Sequence, residues 1–147
     1  MTRPTRDVVA RALELLNQAL RPYVERVLRT VYHDRWQEAA RSSTPGRSAG
    51  RWDTQMLLSV ILDNWSVFHA RMSQLDRALI SELRDTRNRW AHQEPFTSED
   101  ASRALDTVER LLRSIRAGEA DEVRALNVST PRPERRDVDA RGLLGVK

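Results

Sequence analysis

Apolar residues recur at intervals of three and four almost from end to end of this chain, and no bounded run alternates apolar with polar. Helices are therefore the only regular structure it can form in quantity. Val9, Ala12, Leu13, Leu16, Ala19 and Leu20 open the pattern on one helical face. Proline fits the first turn of a helix better than its interior, so a second helix is expected from Pro22, with Val24, Val27, Leu28, Val31, Tyr32 and Trp36 facing inward; a bent continuous helix is the alternative. Asp53 is placed as the N-cap of a third helix, and Trp52 before it as a staple onto Leu57. The stripe of that helix, Met56, Leu57, Val60, Ile61, Trp65 and Phe68, is interrupted by Asp63 and Asn64. A fourth helix starts near Ser73. Leu75, Leu79, Leu83, Thr86 and Trp90 mark its inner face as far as His92-Gln93-Glu94-Pro95, where proline drives the preceding residue out of the helical region. The cap cluster Phe96-Thr97-Ser98-Glu99-Asp100 announces a fifth helix, with the stripe Ala101, Ala104, Leu105, Val108, Leu111, Leu112 and Ile115 and an end at Gly118. Glu119 to Leu126 read as a short acidic turn or helix.

The expectation is one all-α domain, an antiparallel helical bundle of four to six helices over residues 1–127, followed by a flexible linker or tail over 128–147. A chain of 147 residues can bury roughly two thirds of its unfolded surface, enough for a core without staples. Between Arg41 and Gly50 periodicity is lost and serine, glycine and proline gather, as in a surface loop. Ser129-Thr130-Pro131-Arg132-Pro133-Glu134-Arg135-Arg136 reads as a connection toward a further domain, and Leu143, Leu144 and Val146 beyond it have no room for a core. The lack of cysteine excludes disulfides, thiolate nucleophiles and cysteine metal sites, and the cytoplasm is the expected compartment. The first residues lead into an amphipathic stretch, so neither a secretory signal nor a membrane span is expected. His33 and His69 lack metal-ligand spacing, and no metal or other cofactor is expected. No G-x-x-x-x-G-K-[ST] loop is present, so nucleotide hydrolysis has no seat in this chain.

Lys147 is the only lysine among 25 basic residues. Two readings of that bias stand side by side: a genome rich in arginine codons, or guanidinium forks used to hold phosphate. The net charge of +4 leaves both open, and no segment is a basic tail.

Chemistry concentrates in residues 82–96, Glu-Leu-Arg-Asp-Thr-Arg-Asn-Arg-Trp-Ala-His-Gln-Glu-Pro-Phe, a polar cluster at the end of a helix whose other face is apolar. Arg87 and His92 are five residues apart, about 140° net around an ideal helix, so the two side chains do not share a face within one regular helix. Either the helix unwinds near Ala91 and His92 swings round, or the reacting pair is assembled from two chains across a twofold axis.

Arg87-Asn88-Arg89-Trp90-Ala91-His92 resembles the R-N-x-x-x-H form of the motif of the HEPN superfamily. Glu82-Leu83-Arg84-Asp85 before it and Gln93-Glu94-Pro95-Phe96 after it resemble the subgroup named for a nuclear RNA-surveillance endoribonuclease, which also occurs at the N-termini of large bacterial ATPases and helicases. The resemblance covers about residues 5–120. It implies a HEPN-like bundle that forms a homodimer, two motif helices facing each other around a composite cleft, and metal-independent cleavage of RNA. Carried over to this sequence, Arg87 and His92 are the catalytic pair and Asn88 the polar residue that follows the arginine. Arg84 and Arg89 as RNA-binding residues, and Glu82 as support, are added from proximity. The resemblance also implies a C-terminal ATPase or helicase domain as partner in a longer protein, with a use in phage defence or RNA processing. A non-catalytic dimerisation or RNA-binding module of such a protein is the competing function.

The residue types suit RNA cleavage. One group must take the 2′-hydroxyl proton, another must protonate the leaving oxygen, and positive charge must stand beside the phosphate. Histidine can serve either proton step; arginine keeps its proton and is assigned to the phosphate. A 2′,3′-cyclic phosphate product is expected. Each residue also has a plain structural reading: His92 as a helix cap, Arg84 and Arg87 paired with Asp85, Glu82 or Glu94 on a solvated face, and Trp90 as core or interface.

Overall fold

The computed structural model describes residues 2–42 and 52–129, and among them all regular structure is helical. The order is α1 (Thr2–Tyr32), a 3₁₀ turn (His33–Arg35), α2 (Trp36–Ser42), α3 (Thr54–Asp63), α4 (Trp65–Phe68), α5 (Gln74–Ala91), α6 (Ser98–Ser114) and α7 (Glu119–Ser129). The expected all-α helical bundle is what forms. The loop expected at 41–50 lies, after Arg41 and Ser42 of α2, outside the described residues, as do residues 130–147 of the expected tail.

α1 runs unbroken through Pro22, so the second helix expected from that residue is the continuation of the first. The reason is where the proline sits. Pro22 and Gln18, whose carbonyl loses its helical donor, are both exposed, so water satisfies the carbonyl, while the buried stripe Val9, Leu13, Leu16, Leu20, Val24 and Val27 passes on the opposite face. Val31, expected inside, is exposed on the last turn. His33 then takes a left-handed φ of 53° and the chain turns into α2.

Asp53 caps α3 as expected, its carboxylate accepting from Met56 N–H at 2.8 Å. Trp52 packs against Trp36 with the rings tilted at 53° and their centroids 5.5 Å apart. The stripe read as one helix to Phe68 is divided by Asn64, whose backbone leaves the helical region and whose side-chain amide donates to Val60 O at 2.8 Å. The fifth expected helix ends earlier than Gly118. Arg116 takes the left-handed position at φ 60°, and the N–H groups of Arg116 and Ala117 turn back to Arg113 O and Leu112 O, closing α6 without a glycine.

Paired side chains fix the directions of packing. Arg87 at the end of α5 meets Asp53 at the start of α3, Asp76 at the start of α5 meets Ser114 at the end of α6, and Ser102 of α6 meets Asn127 of α7. Neighbouring helices in these pairs therefore run antiparallel. Leu16 and Leu20 of α1, Met56, Leu57 and Ile61 of α3, Ile80 and Leu83 of α5, and Leu105, Val108 and Leu112 of α6 are fully buried between them. On α5 the expected inner face is shifted: Ile80 belongs to the core, whereas Leu75 is 60% exposed.

Candidate active site

Caps decide where α5 begins and ends, and so where the motif stands. At its start Ser73 Oγ accepts from Asp76 N–H at 3.1 Å while the Asp76 carboxylate accepts from Ser73 N–H at 2.9 Å, a reciprocal box. Asp76 also accepts from Ser114 Oγ at 2.8 Å, which anchors this end on α6. At the other end helical bonding continues into the motif, and His92 N–H donates to Asn88 O at 3.0 Å. Gln93 then adopts φ 60°, and the N–H groups of Gln93 and Glu94 return to Trp90 O and Arg89 O at 3.0 Å each. That Schellman turn closes the helix one residue beyond His92.

The helix does not unwind at Ala91, so Arg87 and His92 keep their separation of about 140° around the axis. Of the two arrangements open to the sequence, a reshaped helix end within one chain is the one this structure lacks. His92 stands on the outward face in line with Asn88, Asp85 and Ser81, all exposed. Arg84 borders this stripe, half-buried. Among the described residues none forms a side-chain hydrogen bond or ion pair with Arg84, Asp85, Asn88 or His92.

Arg87 points the other way. Its side chain is 26% exposed, with the guanidinium 4.0 Å from the Asp53 carboxylate. It lines a groove of ≈ 340 Å³ between α1, α3 and α5, whose walls include Leu13, Glu14, Asn17 and Trp90. A contact of 4.0 Å lies at the outer limit of an ion pair, so Arg87 is steadied by Asp53 without its donors being consumed.

Glu82, expected as support, and Arg89, expected to bind RNA, lie on a third flank, against α6. Glu82 accepts from Arg103 Nε and Nη2 at 2.8 and 3.0 Å and from Thr107 Oγ1 at 3.1 Å. Those Arg103 hydrogen bonds hold the Glu82 carboxyl below the usual carboxylate range, against the opposing effect of burial. Arg89 donates to Glu94 at 3.3 Å, stands 3.6 Å from Asp100 and covers the Phe96 ring at 4.9 Å. Both residues fasten α5 and its closing turn to α6. The larger groove of ≈ 550 Å³ along α6, lined by Glu82, Arg103, Asp106, Arg110 and Asn127, belongs to this flank and not to the Arg87–His92 motif.

Sequence reasoning missed Arg6. From the second turn of α1 its guanidinium donates to Trp90 O at 2.8 Å and Glu94 O at 3.0 Å, and lies 5.3 Å from the Trp90 ring centroid. Trp90 Nε1 returns a bond to Arg6 O at 3.3 Å, and Thr5 Oγ1 donates to Phe96 O at 3.2 Å. Trp90 thus packs with the core, as its stripe position suggested. One signal for Arg6 was present: it stands three residues before Val9, on the stripe Val9, Leu13, Leu16, so a cation occupies an inward position.

The model of one protein family, described as Swt1-like HEPN, matches residues 11–116, a span that holds α3 to α6 and the whole motif. Neither the curated proteins nor the solved structures supply a match.

Proposed function

The chain belongs to the Swt1-like HEPN family, and from that premise we propose that it is a metal-independent endoribonuclease domain whose cleft is assembled by two copies of α5. Many HEPN domains are ribonucleases, and HEPN domains often dimerise and bind RNA. The observation that carries the reading is the bare stripe: Arg84, Asp85, Asn88 and His92 lie on the outward side of a helix capped at both ends, with no described side-chain partner. Polar groups kept unpaired on a well-ordered element are available to a ligand, whereas groups that merely hold a fold find partners, as Glu82 and Arg89 do.

In the proposed dimer the outward stripe of each α5 meets the Arg87 flank of its partner's α5 across a twofold axis, so that the imidazole of one chain stands beside the guanidinium of the other. One imidazole takes the proton of the RNA 2′-hydroxyl. The 2′-oxygen attacks phosphorus, the bond from phosphorus to the 5′-oxygen breaks, and the second imidazole, protonated, gives its proton to the leaving oxygen. The products are a 2′,3′-cyclic phosphate and a 5′-hydroxyl. Arg87 faces the non-bridging oxygens, where charge develops and where a fork that never deprotonates is the suitable donor. Asn88 and Arg84, on the same stripe as His92 or beside it, are assigned to the ribose and the neighbouring phosphate. Phage defence, RNA processing and an attached ATPase or helicase belong to this reading as its setting.

The test is cleavage of single-stranded and structured RNA by the purified chain in chelator, beside Arg87→Ala and His92→Ala, with light scattering for the dimer. Cleavage that vanishes in both variants and leaves cyclic phosphate ends is the expected result. An inert parent that still self-associates or retards RNA would leave the family a binding module here.

A further inference from the structure

We propose that Arg6 is the positioning residue of the motif: a latch from the second turn of α1 that sets the direction in which His92 leaves α5. The proposal rests on the ribonuclease reading above and adds to it a residue outside the matched span, which begins at residue 11.

The geometry is specific. The two carbonyls that receive the Arg6 fork belong to Trp90 and Glu94, and His92 is the residue midway between them. A guanidinium is planar and rigid, so two acceptors bound by its two terminal nitrogens are held at a fixed separation. Here the two acceptors are the last turn of α5 and the chain just past the left-handed Gln93, so the fork spans the helix end. Trp90 O already accepts from Gln93 N–H, and Arg6 supplies a second donor to the same oxygen. Trp90 Nε1 closes the loop by donating to Arg6 O, and the indole face receives the guanidinium. The contact is made from both sides. Nothing comparable holds the imidazole itself, which is exposed and forms no bond to a described residue. The direction in which His92 leaves the helix is therefore set by its backbone, which Arg6 fixes to α1 as Arg89 ties the same turn to α6. Misplacing a reacting group by an ångström can cost about a hundredfold in rate, so a residue that touches no substrate can still govern turnover.

Thr5 provides the control. Its bond to Phe96 O docks the same turn of α1 on the same loop but does not bracket His92. The experiment compares the parent chain with Arg6→Ala, Arg6→Lys and Thr5→Ala, measuring kcat and KM on RNA, thermal midpoint, and amide exchange at Gln93 and Glu94. A latch predicts that Arg6→Ala lowers kcat roughly tenfold to a hundredfold while KM moves little. It also predicts that exchange speeds up, relative to the parent, more at Gln93 and Glu94 than at Leu105 and Val108, with partial recovery in Arg6→Lys and unchanged kcat in Thr5→Ala even where its midpoint falls. Equal losses of kcat in Arg6→Ala and Thr5→Ala, tracking the midpoint, would overturn it, as would unchanged exchange at the two amides. A parent chain without cleavage would instead overturn the ribonuclease reading, and the exchange contrast would then decide alone whether Arg6 holds the turn.

Discussion

On the side of α5 that meets α6, Glu82 is held by Arg103 and Thr107, and Arg89 by Glu94 and Asp100, whereas on the outward side Arg84, Asp85, Asn88 and His92 have no described partner. The two flanks belong to one helix and one dense stretch of charge. What separates them is that α6 packs along the first and offers partners to the partly exposed groups there, while the second is left to solvent or to a ligand. Charge density in a sequence thus mixes groups that build the bundle with groups that wait for a substrate, and only the packing sorts them.

The comparison is broken most severely at the motif. His92→Ala is expected to lower RNA cleavage by about 10²–10⁴-fold and Arg87→Ala by about 10²–10³-fold, the ranges for losing a proton-transfer group and a transition-state donor. Stability should stay within about 0.5 kcal/mol for His92→Ala, whose side chain is exposed and unbonded. Leu83→Ala, on the buried face of the same helix, should show the reverse: a loss of about 2–5 kcal/mol of stability in denaturant unfolding, with cleavage per folded molecule much less affected. A His92 variant that unfolds, or a Leu83 variant that folds normally, would erase the distinction between outward and inward faces.

Arg84 and Arg89 offer a matched pair, one free of described partners and one in two ion pairs. Arg84→Ala is expected to weaken RNA binding and to reduce the slope of log affinity against log salt by about one, as the loss of a single phosphate contact does. Arg89→Ala should leave that slope in place and loosen the turn at Gln93. Binding measured over a salt series distinguishes them. Equal slopes in the two variants would mean that the paired flank also touches RNA.

Periodicity made most of the fold legible. The caps at Asp53, Ser73 and Thr97 appear where the sequence puts them, because each is a local contest between a side-chain acceptor and the first free N–H groups of a helix. Pro22 misled because its cost depends on whether the orphaned carbonyl faces water, a tertiary property. Arg116 closing α6 in place of Gly118 is another choice that local composition does not announce. At the site, the spacing of Arg87 and His92 leaves a choice between an unwound helix end and a regular one, and the structure keeps the helix regular as far as Ala91. The partners of Arg6 and Arg87 lie 84 and 34 positions away in sequence, at Trp90 and Asp53, and no local pattern links residues so far apart. Proximity in sequence alone makes Glu82 a support and Arg89 an RNA contact, because the partners that α6 offers them are a tertiary property.

The smallest expected effect concerns pH. The hydrogen bonds from Arg103 hold the Glu82 carboxyl below its ordinary value of 4.5, so its folded form binds a proton less readily than the unfolded chain does. A depressed carboxyl contributes stability that is complete above the unfolded value and is lost as pH falls through the folded one. Parent chain and Glu82→Gln should therefore differ at neutral pH, the parent being the more stable, and converge as pH drops below 4.5. The difference is limited to a few degrees in thermal midpoint, because the Arg103 side chain is 75% exposed and screened by solvent. RNA cleavage by Glu82→Gln should follow the parent, since the carboxylate faces α6 and not the outward stripe. Midpoints that stay parallel down to acid would place the contribution of Glu82 in packing rather than charge. A cleavage defect without a stability defect would move Glu82 from the paired flank to the functional one, and the contrast between the two sides of α5 would have to be redrawn.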